Sequence, residues 1–351
     1  MTSSDATRPE ESTLEALRQA IAARTTPADK TARRALRLFD GYREAGVSAT
    51  VELFDKTIVV LDHRPAVANE AWGRELALAA HAALPFTDTA LVKVRSPAAE
   101  GMTGARKDEL SHGVVVLGAE DSLARRIDEH GVRYAVRLLF GKDASFYVDT
   151  GVLRRYLKER CTGEKVLNAF AHTGSLGVAA RASARHVVHV DKNGAALNIA
   201  KDSYALNGFE VKRPCFIGED FFVYAARARR EGALYNTVIL DPPFFAESSR
   251  GTVDMENGVE RLVDKARPLV GDGGRLIVVN NGLFVSGAAF KAALEKVGGD
   301  GYLEIEELVG VPDDCLVTST SGKPLPADPA PFVHPTKIAV LRVKRRDGRK
   351  A

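Results

Sequence analysis

The chain has 351 residues, of which 45% are hydrophobic, and its formal net charge at pH 7 is +3. This length suffices for one large α/β domain and a smaller one, and the near balance of charges excludes nucleic-acid binding driven by overall basicity. The N-terminus has no apolar run flanked by basic residues and contains several acids, so we expect no signal or transit peptide, no membrane segment and a cytoplasmic location. Three distant cysteines without ligand-like spacing predict reduced thiols and no metal site: Cys161, Cys215 and Cys315.

The first 149 residues alternate between helical and extended patterns. A capping box from Ser12 to Glu15 predicts a helix that ends before Pro27, and a second helix is expected over residues 28–45. Alternating apolar residues then predict a hairpin over residues 50–62. The further elements expected are a helix over 70–84 and strands over 90–95, 114–117, 127–130 and 132–140. We therefore predict a polar, helical segment over residues 1–27 and a small α+β lobe over residues 28–149.

Positive residues cluster on short segments of the chain. The clusters are Arg33, Arg34, Arg37 and Arg43 on the predicted second helix, Arg154, Arg155, Lys158 and Arg160 on a later helix, and a basic C-terminus that ends in the tail 347–351. Such clusters suit phosphate contacts, although each by itself is also typical of a solvated helix face or a tail.

From Lys165 to Phe245, four apolar strands alternate with helices. This pattern predicts an α/β domain over residues 150–346, with a parallel sheet covered by helices and a ligand site above the carboxyl ends of its strands. The last strand is expected over residues 337–343. A loop rich in Pro, Ser, Thr and Gly is expected to lie on the surface over residues 311–335.

The turn after the first of these strands indicates the kind of ligand. A dinucleotide turn needs three glycines for close approach of a pyrophosphate, but only Gly174 and Gly177 are present here. His172 and Thr173 stand where a nearby phosphate would leave no room for a side chain. The turn therefore favours a nucleoside ligand without phosphates, of which S-adenosylmethionine (SAM) is the commonest.

Acids follow the next strands. Asp191, beside Lys192, ends the strand 186–190 and can accept hydrogen bonds from both ribose hydroxyls, as acids do in NAD and SAM sites alike. After the third strand, Asp220 can accept from an adenine amino group, and Phe221 can cover the ring.

The fourth strand ends in Asp241-Pro242-Pro243-Phe244-Phe245. Two prolines stiffen this turn and remove backbone donors. An amine held by the Asp241 carboxylate and the Pro242 carbonyl would keep its lone pair free for a methyl group, while Phe244 or Phe245 stacks on its ring. By itself, Asp-Pro-Pro is also compatible with an ordinary turn after a strand.

Together these motifs resemble those of class I SAM-dependent methyltransferases. More narrowly, the chain is similar to the bacterial large-subunit ribosomal RNA methyltransferases that make 5-methylcytosine or 7-methylguanosine. The likeness spans residues 32–343 and includes the segment 146–149 with Arg154 and the turn 168–175, which resembles the family's Asn-x-Phe-x-x-Thr-Gly. It departs at residues 143–145, where the family usually has Lys/Gln-Thr-Gly.

The resemblance implies a Rossmann-like seven-stranded methyltransferase domain preceded by a small α+β lobe, with SAM as cofactor and large-subunit ribosomal RNA as partner. The residues it assigns to the cofactor are Asn168, Phe170, His172, Thr173, Gly174, Ser175, Asp191, Lys192, Asp220, Phe221 and Asp241. The residues it assigns to catalysis are Asp241, Pro242, Pro243 and Phe244, and those assigned to the substrate are Phe245, Asn280, Asn281 and Arg154. No catalytic histidine is assigned, and no pattern indicates an oligomeric state.

The fifth strand bears on which atom receives the methyl group. A cytosine C5 enzyme needs a cysteine thiolate after strand four or five, but this chain has Asn280-Asn281-Gly282 there. The predicted acceptor is therefore a base nitrogen, and the resemblance of Asn280-Asn281 to the guanine-modifying branch of the family implies guanine. Three alternatives stay open: a small-molecule or protein amine as acceptor, cytosine C5, and an inactive RNA-binding assembly factor.

Overall fold

The computed structural model describes residues 8–98, 101–248, 251–256, 258–316 and 328–351. The chain forms two compact units, Met1–Val148 with Asp313–Leu325, and Asp149–Pro312 with Pro326–Ala351. Within the described ranges, no helix combines the length and the apolar character needed to cross a bilayer.

The first unit is built on a five-stranded sheet. Its elements are α1 (Glu11–Arg24), β1 (Ala35–Asp40), α2 (Gly41–Glu44), β2 (Ala49–Phe54), β3 (Thr57–Asp62), α3 (Ala71–Ala83), β4 (Thr89–Val94), α4 (Gly104–His112), β5 (Val114–Leu117), β6 (Arg126–Glu129) and β7 (Val132–Ala135). The strands lie in the order β1-β2-β3-β4-β5, with β3 and β4 parallel and the other pairs antiparallel. Leu17 and Ile21 of α1 and Leu76 of α3 are buried in the same core as the sheet. β6 and β7 form a separate hairpin.

The prediction of one helix over residues 28–45 is wrong. Ala35–Asp40 is an edge strand, and a single helical turn, α2, follows it. Arg37 lies opposite Glu52 in the β1–β2 register, and its guanidinium is 2.9 Å from that carboxylate. Cross-strand pairing with a sequence-distant partner therefore overrides the helical pattern, and the first basic cluster is not one helix face.

The second unit contains a seven-stranded sheet. Its elements are α5 (Gly151–Arg160), β8 (Lys165–Ala169), α6 (Ser175–Arg181), β9 (His186–Val190), α7 (Gly194–Leu206), β10 (Phe216–Ile217), α8 (Phe221–Arg230), β11 (Tyr235–Leu240), β12 (Phe245–Ser248), β13 (Gly251–Asp254), α9 (Val259–Ala266), β14 (Val270–Asn280), α10 (Gly287–Gly298), β15 (Leu303–Val309) and β16 (Lys337–Val343). The order is β10-β9-β8-β11-β14-β16-β15, and only the pairs that include β16 are antiparallel.

The strands of this sheet are apolar on both faces because helices cover both. Val238, Ile239 and Leu240 of β11 are all fully buried, as expected for a central parallel strand. The predicted α/β class and the Rossmann-like sheet are confirmed, and β16 has the predicted bounds.

Two other expectations concern the C-terminal part of the chain. Residues 317–327 of the predicted loop 311–335 lie outside the described residues. The basic segment 347–351 packs beside the start of β14, where the carbonyl of Arg349 accepts a hydrogen bond of 2.7 Å from the backbone N–H of Asp272.

Candidate active site

The turn after β8 has an unusual backbone. Phe170, His172 and Gly174 have φ angles of 54°, 49° and 81°. These lie in the left-handed region that residues other than glycine rarely adopt. The backbone N–H of His172 donates to Oδ2 of Asp191 over 2.7 Å. This hydrogen bond ties the turn to the tip of the neighbouring strand β9 and stabilises a conformation that costs free energy by itself.

A buried polar chain supports the turn from below. Asn168 is 1% exposed, and its Nδ2 lies 3.3 Å from Nδ1 of His189, whose Nε2 lies 2.9 Å from the hydroxyl of Tyr204. Burial lowers the pKa of His189 to about 3, so the ring is neutral, and it accepts from Asn168 and donates to Tyr204. A Cβ on Gly177 would lie 2.4 Å from Cε1 of His189, so this position requires glycine. The Asn168 side chain therefore supports the turn from within the core.

The tip of β9 suits a ribose. Asp191 uses Oδ2 for His172 and Oδ1 for the backbone N–H of Asn193, each over 2.7 Å. Each carboxylate oxygen can accept a further hydrogen bond, so a vicinal diol can still be held. Lys192 beside it is exposed. The turn itself offers an acid and an apolar wall with no lysine or arginine, which fits a nucleoside better than a pyrophosphate.

Aromatic rings line the next part of the site. Phe221, at the start of α8, is 3% exposed, and its ring centroid lies 4.9 Å from that of Phe170. Asp220 caps the same helix, with Oδ1 accepting from the backbone N–H of Phe222 over 2.9 Å. Thr173 is buried, and Ser175 is the first residue of α6. The residues predicted to hold the cofactor therefore lie at the carboxyl ends of three adjacent strands, β8, β9 and β10.

Asp241 ends β11, on the other side of β8. Burial is the main cause that raises the pKa of Asp241 to about 7, and the nearby charge of Asp149 adds to it. A hydrogen bond of 3.3 Å from Nδ2 of Asn281 to Oδ1, together with the positive charge of Arg154, acts in the opposite direction. The carboxyl group can therefore gain and lose a proton near neutral pH.

The two phenylalanines after the prolines have different environments. Pro242 is buried, and Pro243 is exposed. Phe244 packs partly buried against the core, and a Cβ on Gly282 would lie 2.6 Å from its ring. Phe245 is 57% exposed at the start of β12. Phe244 is therefore fixed by its neighbours, whereas the ring of Phe245 is available for contact.

Two of the four residues predicted to bind substrate are internal. Asn280 is fully buried; it donates to the Met255 carbonyl over 2.9 Å and accepts from the Gly282 N–H over 2.8 Å. Arg154 is also fully buried, and its guanidinium donates to the hydroxyl of Thr150 over 2.7 Å. Neither side chain has exposed surface, so in this structure both brace the site from within, and their contact with a substrate stays a prediction.

Two contacts of the site could not be picked out from the sequence. Asp149 lies 92 positions before Asp241, and its carboxylate accepts a hydrogen bond from the hydroxyl of Thr336. Asp149 belongs to the segment 146–149 that resembles the family, but nothing local indicates that it acts on Asp241 or pairs with Thr336. By contrast, the apolar pair Leu283-Phe284 directly after Asn280-Asn281-Gly282 was a usable signal, since it stands in a turn with neither helical nor strand spacing.

The sheet has one reversed strand, β16, next to its edge, an acid follows the second of the parallel strands, and Asp-Pro-Pro follows the fourth. These features together are typical of a methyltransferase of the Rossmann-like class. The sequence profile of the S-adenosylmethionine-dependent methyltransferase family matches residues 110–296. The chain belongs to that family, which confirms the predicted family and SAM as its cofactor.

Relatives agree with this assignment, and solved structures share the fold. The chain is 30% identical to ribosomal RNA large subunit methyltransferase I of Erwinia tasmaniensis over 199 residues, which are 56% of this chain and 50% of that protein. It thus spans about half the length of the curated relatives it matches. A protein classed as a methyltransferase and crystallised with S-adenosylhomocysteine (SAH) has the same fold, with a TM-score of 0.77, 20% identity, and 94% of this chain and 81% of that chain covered. A SAM-dependent methyltransferase from Agrobacterium tumefaciens follows with a TM-score of 0.55, 17% identity, and 85% and 87% covered.

Proposed function

We propose that this protein transfers a methyl group from SAM to a base nitrogen of large-subunit ribosomal RNA, with guanine as the base. The observation that supports this most is the acceptor site at the end of β11, where Asp241 and the Pro242 carbonyl lie beside the strands that carry the cofactor residues. Among the described residues, no backbone N–H donates a hydrogen bond to the Pro242 carbonyl. Two acceptors are thus available for an amine or a ring N–H.

The residues of the site can orient and deprotonate such a group. When bound, SAM supplies a methyl group on a positively charged sulfur. Asp191 holds the ribose hydroxyls, and the partly exposed ring of Phe170, packed on the buried ring of Phe221, provides an apolar wall for the adenine. Asp241 accepts an N–H of the substrate and, with a pKa of about 7, takes up the proton that the nitrogen loses on methylation. Catalysis then rests on positioning and on charge, without a covalent enzyme adduct.

The positions of the cysteines favour nitrogen over carbon as the acceptor. Cys161 precedes β8 and Cys215 precedes β10, so both lie at the amino-terminal edge of the sheet, opposite the site. Burial raises the pKa of Cys161 to about 12, which disfavours a thiolate. Cys315 belongs to the first compact unit. Cytosine C5 activation needs a thiolate at the base, and neither Cys161 nor Cys215 lies at the carboxyl edge of the sheet.

RNA is favoured as substrate over a free amine by the relatives, which are named ribosomal RNA large subunit methyltransferases. A base inside a helix cannot reach Asp241, so the target must be unpaired or flipped out. A small-molecule or protein amine would use the same two acceptors, and this is the second candidate.

The test is methyl transfer from labelled SAM to total RNA of cells that lack the gene, followed by mass spectrometry of the nucleosides. We expect a methylguanosine with the wild type, and loss of it with Asp241→Ala but not with the control Glu210→Ala, whose carboxylate is 69% exposed at the opposite edge of the sheet. Label in 5-methylcytosine would contradict the nitrogen assignment. Labelling that persists after RNase treatment would move the substrate to a protein or a small molecule.

A further inference from the structure

The most exposed large apolar side chains in the described part of the chain lie in two loops. Phe284 is 83% exposed, Leu283 is 70% exposed and Phe245 is 57% exposed; every other large apolar side chain described is less than half exposed. Phe245 follows β11, and the other two follow β14. These strands are parallel neighbours, so both loops emerge at the carboxyl edge that holds Asp241.

Direct contacts join the two loops. Asn281 donates to Asp241 across 3.3 Å, and Gly282 packs so closely on Phe244 that a Cβ there would come within 2.6 Å of its ring. Leu283 and Phe284 come directly after these two residues. Their exposed side chains are therefore continuous with the acceptor site.

The loop that bears Leu283 and Phe284 is anchored at both ends. Before them, the N–H of Gly282 donates to Asn280 over 2.8 Å, and the Gly282 carbonyl accepts from buried Lys337 over 2.9 Å. After them, Ser286 caps α10, and the N–H of Gly287 donates to Asp328 over 3.0 Å. The backbone is thus fixed while both apolar side chains face water. Because this contact surface is already ordered, binding to it costs less conformational entropy.

We propose that Leu283 and Phe284 form a stacking tip that holds an unpaired nucleotide of the RNA next to the target base; this inference rests on the proposed function. A target base that leaves its helix deprives its neighbour of a stacking partner, and the face of a phenylalanine ring replaces that partner irrespective of sequence. A second copy of the chain is a poorer occupant. Two phenylalanines and a leucine present less area than the roughly 800 Å² per partner that a stable dimer buries.

The experiment measures the affinity of the full-length protein, with SAH present, for a fluorescently labelled single-stranded RNA by anisotropy. For Phe284→Ala we expect roughly a 5- to 150-fold weaker affinity, as the loss of one stacked base implies. Phe284→Trp should retain the affinity, and Phe284→Leu, which stays apolar but loses the flat face, should not. The control is Val211→Ala, since Val211 is also exposed but precedes β10 at the opposite edge of the sheet. SAH affinity, measured by calorimetry, should be the same in all variants.

Several results would overturn the stacking tip. These are unchanged RNA affinity in Phe284→Ala, full affinity in Phe284→Leu, no binding of single-stranded RNA by the wild type, or a change of oligomeric state on mutation, which would point to a dimer contact. The proposed function fails by a different readout, the absence of methylated nucleosides. Wild-type methyl transfer to RNA combined with an unaffected Phe284→Ala variant would remove the stacking tip alone.

Discussion

Asp241→Asn should weaken the activity of the protein and at the same time stabilise its fold. The ionised carboxyl group lowers the free energy of unfolding, because burial and the charge of Asp149 raise its pKa from 3.8 to about 7. Asparagine has nearly the same shape, can still pair with Asn281 and carries no charge. The substitution therefore removes the cost of a buried charge together with the proton acceptor of the proposed reaction.

The size of the stabilisation follows from linkage between protonation and folding. A folded-state pKa that exceeds the unfolded value means that the folded state binds the proton more tightly, so the free energy of unfolding falls as pH rises from about 4 to about 7. Each pKa unit corresponds to about 1.4 kcal/mol, so the full effect above pH 7 is at most roughly 4 kcal/mol. We therefore expect Asp241→Asn to exceed the wild type by up to roughly 4 kcal/mol at pH 8, and by much less at pH 5.

The assay is denaturant unfolding of both proteins at pH 5, 6, 7 and 8, with methyl transfer measured at the same pH values. The wild-type rate should rise through about pH 7 and then level off, because the ionised carboxylate is the active form. The rate of Asp241→Asn should be lower on the order of 100-fold and lack this rise. Asp264→Asn is the control, since the Asp264 side chain is 53% exposed. Two results would contradict this linkage: no higher free energy of unfolding for Asp241→Asn than for the wild type at pH 8, or a difference between the two proteins that grows as pH falls.

Three further predictions test other parts of the site. Asp191→Ala should weaken SAM binding roughly 10-fold or more in calorimetry, because a hydrogen-bonded carboxylate on the ribose is lost; unchanged affinity would remove it from the ribose site. Gly177→Ala should lower the free energy of unfolding by about 1–3 kcal/mol in urea, because the new Cβ meets His189 at 2.4 Å. Gly194→Ala, whose Cβ would meet nothing within 4 Å, should be neutral or stabilising, and equal losses at both glycines would contradict the packing argument. Methyl transfer to RNA should stay intact in the three single variants Cys161→Ser, Cys215→Ser and Cys315→Ser. Loss of turnover without loss of folding in any one of them would revive the C5 mechanism.

The sequence by itself determined the four parallel strands that carry the predicted cofactor and acceptor residues, and where those strands end. Strands that are buried on both faces are continuous apolar runs, so the strand from Lys337 to Val343 could be placed with its correct bounds. The positions of Asp191 and Asp241 followed from the same property, because the residue after a parallel strand must lie at the edge where ligands bind. These are local patterns, and a local pattern is sufficient when one face or one end of an element decides its role.

Only the tertiary structure decided what each side chain contacts. Strand β1 forms because its backbone pairs with β2, where Glu52 lies opposite Arg37, and this pairing outweighs a helical pattern. The pKa of Asp241 is set first by burial and then by Asp149, Asn281 and Arg154, which come from separate segments of the chain. Burial of Arg154 and exposure of Phe284 likewise depend on what packs beside them. Charge, burial and proton affinity arise from neighbours distant in sequence, and no pattern along the chain contains that information.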